Sequence, residues 1–130
     1  MELILERDGS KCVWCRRDVE VGQVFVTTEH LIPKAKGGPS WVENEVAACR
    51  RCNGKRGHQT IGQWLQFCAR QGWQPDLVFL IARLEALQAV IEERGGQRRA
   101  RVRIAAALRR LEKEIRMPGF VGAAHLEDKS

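Results

Sequence analysis

The stretch EHLIPKAKGGPSWVENEVAACRRCNGKRG, residues 29–57, decides how this chain is read. It opens on a carboxylate and an imidazole side by side, Glu29 and His30. Two lysines and a glycine pair follow, and near its end stands Cys49-Arg50-Arg51-Cys52-Asn53. A pair of the same form, Cys12-Val13-Trp14-Cys15, lies upstream, with residues 16–48 between the two. Two intervening residues let both thiolates of a pair turn onto one ion, and two such pairs complete a tetrahedral shell. The spacing therefore predicts one structural Zn2+ held by Cys12, Cys15, Cys49 and Cys52, in preference to a redox or disulfide role. Such an ion ties an N-terminal knuckle to the start of a later helix, the kind of staple a small core needs. Cys68 falls on the apolar face of a helix one turn after Trp64 and reads as a core thiol.

At 130 residues, 44% of them hydrophobic, the chain has the size of one ordinary domain or a small domain with an appendage. Lys and Arg number 22 against 16 Asp and Glu, a net charge of +6. That balance fits a nucleic-acid partner. No run of eighteen apolar residues occurs, so no membrane span is expected. The opening MELILERDGSKC has acidic residues around a three-residue apolar stretch and does not read as a signal peptide. A cytoplasmic protein is expected, with cysteines serving as ligands or core thiols.

Residues 1–60 are rich in turn formers and short β-type runs. VGQVFVTTEHL alternates around Val24, Val26 and Thr28 and predicts a strand after a turn at Gly22. KAKGGPSW reads as a loop. A short helix is expected from Glu43, with Val46 and Ala47 as its apolar positions. Another, over about 60–71, has Thr60 as N-cap, buries Ile61, Trp64, Leu65 and Cys68, and ends at Gly72. Beyond Pro75 the apolar residues fall at steps of three and four: Leu77, Leu80, Ile81, Leu84, Leu87 and Ile91. After Gly95-Gly96 they continue as Ile104, Leu108, Leu111 and Ile115. This predicts an antiparallel helical hairpin, stopped by Pro118-Gly119 and followed by a loosely ordered tail.

Between and after the cysteine pairs, Glu29-His30, Asn44 and Asn53 stand in an order that resembles the HNH endonuclease family. That pattern is an acidic residue plus His, a Gly-rich loop, a middle Asn, then Cys-x-x-Cys followed by His or Asn and a basic residue before Gly. The resemblance covers roughly residues 10–62. It implies an α+β fold: a small ββα-metal (His-Me finger) zinc domain, residues 1–74, followed by an α-helical hairpin and tail, residues 75–130. It further implies a metal-dependent endonuclease that hydrolyses phosphodiester bonds in DNA, from a bacterial or phage-encoded source. By the same resemblance, His30 would take a proton from the attacking water, and Glu29 and Asn53 would hold one catalytic Mg2+ or Mn2+. Asn44 would brace the loop between the strands, and Arg56 would reach a phosphate. The chemistry suits these residue types. A phosphodiester repels anionic nucleophiles, hard cations prefer oxygen donors, and imidazole titrates near neutrality.

The chain departs from the family in having Glu29 where Asp is usual, which moves the carboxylate by roughly 1.5 Å, one single bond. It also has Asn53 where many members have His, a common variant. His58 reads as a further ligand or as an exposed loop histidine, with the second favoured. Lys34, Lys36, Arg50, Arg51, Lys55 and Arg56 surround the motif and are expected at phosphates. Trp14 and Trp41 are expected to pack around the knuckle. Residues 98–116 carry eight basic against two acidic residues. Arg98, Arg99, Arg101 and Arg103 crowd the first turns of a helix, where positive charge opposes the helix dipole. A solvated face and a DNA-contacting arm both remain open, as does a homodimer through the C-terminal helices. Two further readings stand beside the endonuclease. One is a structure-specific nuclease on branched DNA. The other is a zinc-containing DNA-binding module weakened in catalysis by Glu29.

Overall fold

The computed structural model describes residues 1–19 and 25–116. The elements are α1 (Glu2–Asp8), β1 (Val26–His30), β2 (Glu45–Cys49), α2 (Arg50–Arg56), α3 (Ile61–Arg70), α4 (Leu77–Arg94) and α5 (Arg98–Arg116). Short 3-10 turns lie at Lys34–Lys36 and Val42–Asn44. This is an α+β fold in which two antiparallel strands run straight into a helix. The strands pair from Val26 opposite Cys49 to His30 opposite Glu45.

The helix expected from Glu43 is not there. Residues 45–49 form β2, and the helix starts at Arg50. Val46, Ala47, Ala48 and Cys49 are all buried, because β2 is packed by α1 as well as α2. A strand covered on both faces loses the alternation that would mark it in the sequence, and a short apolar run then reads equally as helix. In β1 the buried position is Glu29, while Val26 is half-buried and Thr28 exposed. Gly22 and Val24, expected in that strand and its turn, lie outside the described residues.

Helix α1 was not expected from the sequence. It buries Ile4, and Arg7 ties its end to the start of β2 by donating to the carbonyls of Val42 (2.9 Å) and Glu45 (2.6 Å). Helix α3 follows its sequence signals. Thr60 accepts from the Gln63 amide while Gln63 accepts from the Thr60 amide, a closed capping box. Ile61, Trp64, Leu65 and Cys68 form its buried face.

Helices α4 and α5 form the expected hairpin. Asp76 caps α4 at the Phe79 amide, and the turn runs through Gly95, Gly96 and Gln97, all at positive φ. Leu77, Leu80, Leu84, Leu87 and Ile91 meet Ala100, Ile104, Ala107 and Leu111, so the seam is filled within the chain. Ile81, Leu108 and Ile115 sit at its half-buried margin. The stop at Pro118-Gly119 and the tail lie outside the described residues. One core runs from Cys12 and Trp14 through Trp64 to Leu84 and Ile104, across the boundary expected after residue 74. No helix among the described residues is long and apolar enough to cross a membrane.

Candidate functional site

The knuckle is built by a turn at residues 12–17, where the Cys12 amide donates to the Arg17 carbonyl (2.7 Å) and Arg16 adopts φ +70. Cys49 ends β2 and Cys52 lies in the first turn of α2. The four sulfurs of Cys12, Cys15, Cys49 and Cys52 lie within 4.8 Å of one another, and Cys15 Sγ is 3.9 Å from Cys49 Sγ. Tetrahedral zinc with bonds of about 2.3 Å requires sulfur separations near 3.8 Å. The cluster therefore fits a structural zinc. Cys52 donates to Cys12, which holds the Cys12 thiol well below the ordinary thiol range and pushes Cys52 upward. The Trp14 amide (3.4 Å to Cys12 Sγ) and Arg17 Nη2 (3.3 Å to Cys49 Sγ) supply outer donors. Cys68 is buried away from this set, and burial pushes its thiol up to about 12.

β1 and the first turns of α2 bring the remaining motif residues together. Asn53 Nδ2 donates to Thr27 Oγ1 (2.8 Å) and to the Thr28 carbonyl (3.1 Å), which fixes its amide against β1. Asn44 is fully buried. Its Oδ1 accepts from the Ile32 amide (2.9 Å), and its Nδ2 donates to the carbonyls of Ile32 (3.0 Å) and Pro39 (2.9 Å). This closes the loop that carries the glycine pair. Gly38 is needed there, since a Cβ would lie 1.7 Å from the Ile32 carbonyl oxygen.

His30 is half-buried at the end of β1, with Nε2 3.3 Å from Ser40 Oγ and 3.7 Å from Glu45 Oε2. Burial lowers its pKa below 6.5. Glu45 opposes that shift, and Lys34 and Arg56 reinforce it. Glu29 is 5% exposed, and its Oε2 accepts from Trp14 Nε1 (2.8 Å) and Arg56 Nη1 (3.1 Å). Burial raises the Glu29 pKa, with Arg56 and Trp14 pulling the other way.

Arg56 corrects the sequence reading. Expected at a phosphate, it is 1% exposed and committed to the interior. Nη1 also donates to the His30 carbonyl (2.8 Å), Nη2 to the Leu31 carbonyl (2.7 Å) and Nε to the Gln59 carbonyl (3.1 Å), with the guanidinium 5.2 Å from the Trp14 ring centre. Such a set of acceptors leaves no face for DNA. The other cations are accessible. Lys34, Arg50 and Lys55 are exposed and Lys36 half-buried, while exposed Arg51 lies over the Trp73 ring at 4.6 Å. Arg98, Arg101 and Arg103 are exposed on α5, and Arg99 donates to the Ala35 carbonyl (2.7 Å). His58 is exposed in the loop after α2. Trp14 is buried in the knuckle core, and half-buried Trp41 lies under Arg94.

Sequence reasoning missed Glu45, Ser40, Trp14 as a donor to Glu29, and Arg17. Glu45 could have been found only by reading residues 45–49 as a strand, which places it opposite His30.

Residues 12–65 match the sequence model of a family described as HNH endonuclease. That segment, from the cysteine knuckle through the start of α3, is thus similar to an HNH module; the helical hairpin lies beyond it. No curated protein and no solved structure matches the chain.

Proposed function

We propose that the chain is a metal-dependent endonuclease hydrolysing phosphodiester bonds in DNA. One observation carries the reading: a half-buried imidazole, whose burial favours its neutral form, stands at the end of β1, the strand that also carries Glu29 and against which Asn53 is fixed. Ser40 and Glu45 both face Nε2 of His30. The Glu45 carboxylate favours a ring proton on Nε2, which would leave the Nδ1 lone pair to take a proton from water. Asn53, its amide nitrogen engaged twice, offers Oδ1. Glu29, engaged through Oε2, offers its second oxygen. An amide oxygen and a carboxylate form a donor set that fits a hard divalent cation such as Mg2+ or Mn2+. When bound, such an ion neutralises charge on the phosphate and the departing oxygen.

Asn44 and Arg56 act at one remove. They fix the backbone from His30 onward, at residues 30–32 and 39. Lys34, Arg50 and Lys55, exposed around the module, are placed to meet backbone phosphates.

The test is incubation of the purified protein with supercoiled plasmid DNA and with Mg2+, Mn2+ or no added divalent ion. Nicked or linear products are expected only with the divalent ion. A protein inert on plasmid and branched DNA with every metal would leave the zinc module as a binding device.

A further inference from the structure

Where α5 crosses the HNH-like module, a groove of about 290 Å3 opens between the Lys34–Lys36 turn, the start of α3 and α5. Lys36, Arg103 and Arg110 line it. Arg103 and Arg110 are seven residues apart, so they share one face of α5 two turns apart. Ile32, Ile61 and Ala107, all buried, form an apolar floor. The salt bridges among the described residues engage Arg110, through Glu114 at 3.0 Å, but neither Lys36 nor Arg103.

The groove is fixed by the packing around it. Arg99 donates to the Ala35 carbonyl, and a Cβ on Gly37 would come within 2.6 Å of Arg99 Cβ, so α5 sits hard against the turn. At Gly62 a Cβ would lie 3.1 Å from Arg110 Nη1, so the guanidinium rests on the first turn of α3. Positive charge is unfavourable at that end of a helix, and a bound anion would relieve it. A volume of about 290 Å3 lies at the small end of ligand pockets. Cationic walls over an apolar floor match a sugar–phosphate unit, whose phosphate needs charge and whose deoxyribose needs contact. His30 ends β1, and Ile32 and Pro33, two and three residues further on, line the groove, so it opens where the strand ends.

We infer that this groove is a second phosphate subsite, seating a backbone phosphodiester that flanks the one placed at His30. The inference rests on the nuclease reading and extends it to Arg110, which the sequence pattern did not single out.

The experiment measures binding, not cleavage. Labelled duplex DNA is titrated with His30→Ala protein over a range of salt, without added divalent ion. Adding Arg103→Gln and Arg110→Gln should weaken binding about tenfold and reduce the log–log salt slope by about one unit, the loss of one phosphate contact. Arg98→Gln with Arg101→Gln, an equal loss of charge outside the groove, should cost distinctly less. Arg103→Lys with Arg110→Lys should retain most of the affinity, which separates lost charge from lost fold. Equal losses in the two glutamine pairs, or none in either, would overturn the subsite while leaving DNA binding intact. Absence of any DNA binding by the His30→Ala protein would overturn it together with the nuclease reading.

Discussion

Arg56 and Glu29 form a buried ion pair in which each residue depends on the other. Burial disfavours both charges, and the pair is tolerated because Trp14 and three backbone carbonyls complete the hydrogen bonding. Arg56→Met should cost about 3–5 kcal/mol, because it leaves the carboxylate buried without its cation. Adding Glu29→Gln should recover part of that loss in urea unfolding. A single variant as stable as the wild type would contradict the assignment. At His30 the shift is downward, so the base form persists to pH values below 6.5. kcat/KM should therefore stay flat near neutrality and fall only as pH drops through that lowered pKa. Glu45→Gln removes the one opposing charge and should move the acid limb further down; a limb above 6.5 would contradict this. The residue types around His30 were legible because their order in the chain is distinctive. The inward turn of Arg56 was not, because a basic residue before glycine looks the same whether it faces solvent or carbonyls.

The cysteine pairs join the knuckle, the end of β2 and the first turn of α2 at one point. Removing one ligand should cost both the ion and the local fold. Purified protein is expected to carry about one zinc per chain. Cys49→Ser should lose it with a sharp fall in unfolding midpoint, whereas Cys68→Ser should keep it. Zinc-free wild-type protein, measured by metal analysis, would refute the site. Legibility at this scale followed local signals. Helix α3 announced itself through Thr60 and its apolar spacing, and the hairpin through its spacing and its glycines. Strand β2 and helix α1 did not. β2 is buried on both faces, and α1 is held by Arg7 reaching carbonyls 35 and 38 residues away, a contact no local pattern encodes.

Across the whole molecule, α5 is more than an appendage. Its apolar side closes the hairpin seam, and its basic side lies against the loop that carries Lys34 and Lys36. The knuckle–strand segment and the hairpin therefore share one core and frame one cationic groove. The sequence showed the positive charge of α5 but not which arginines share the groove, since that depends on how the helix docks. The account stands or falls on His30 as the base. Its most direct test is the single-turnover cleavage rate of saturating DNA with Mg2+, comparing wild type with His30→Ala. The account predicts a loss of at least about 100-fold, as for removal of a general base, with DNA affinity retained. Cleavage by His30→Ala at the wild-type rate would contradict it.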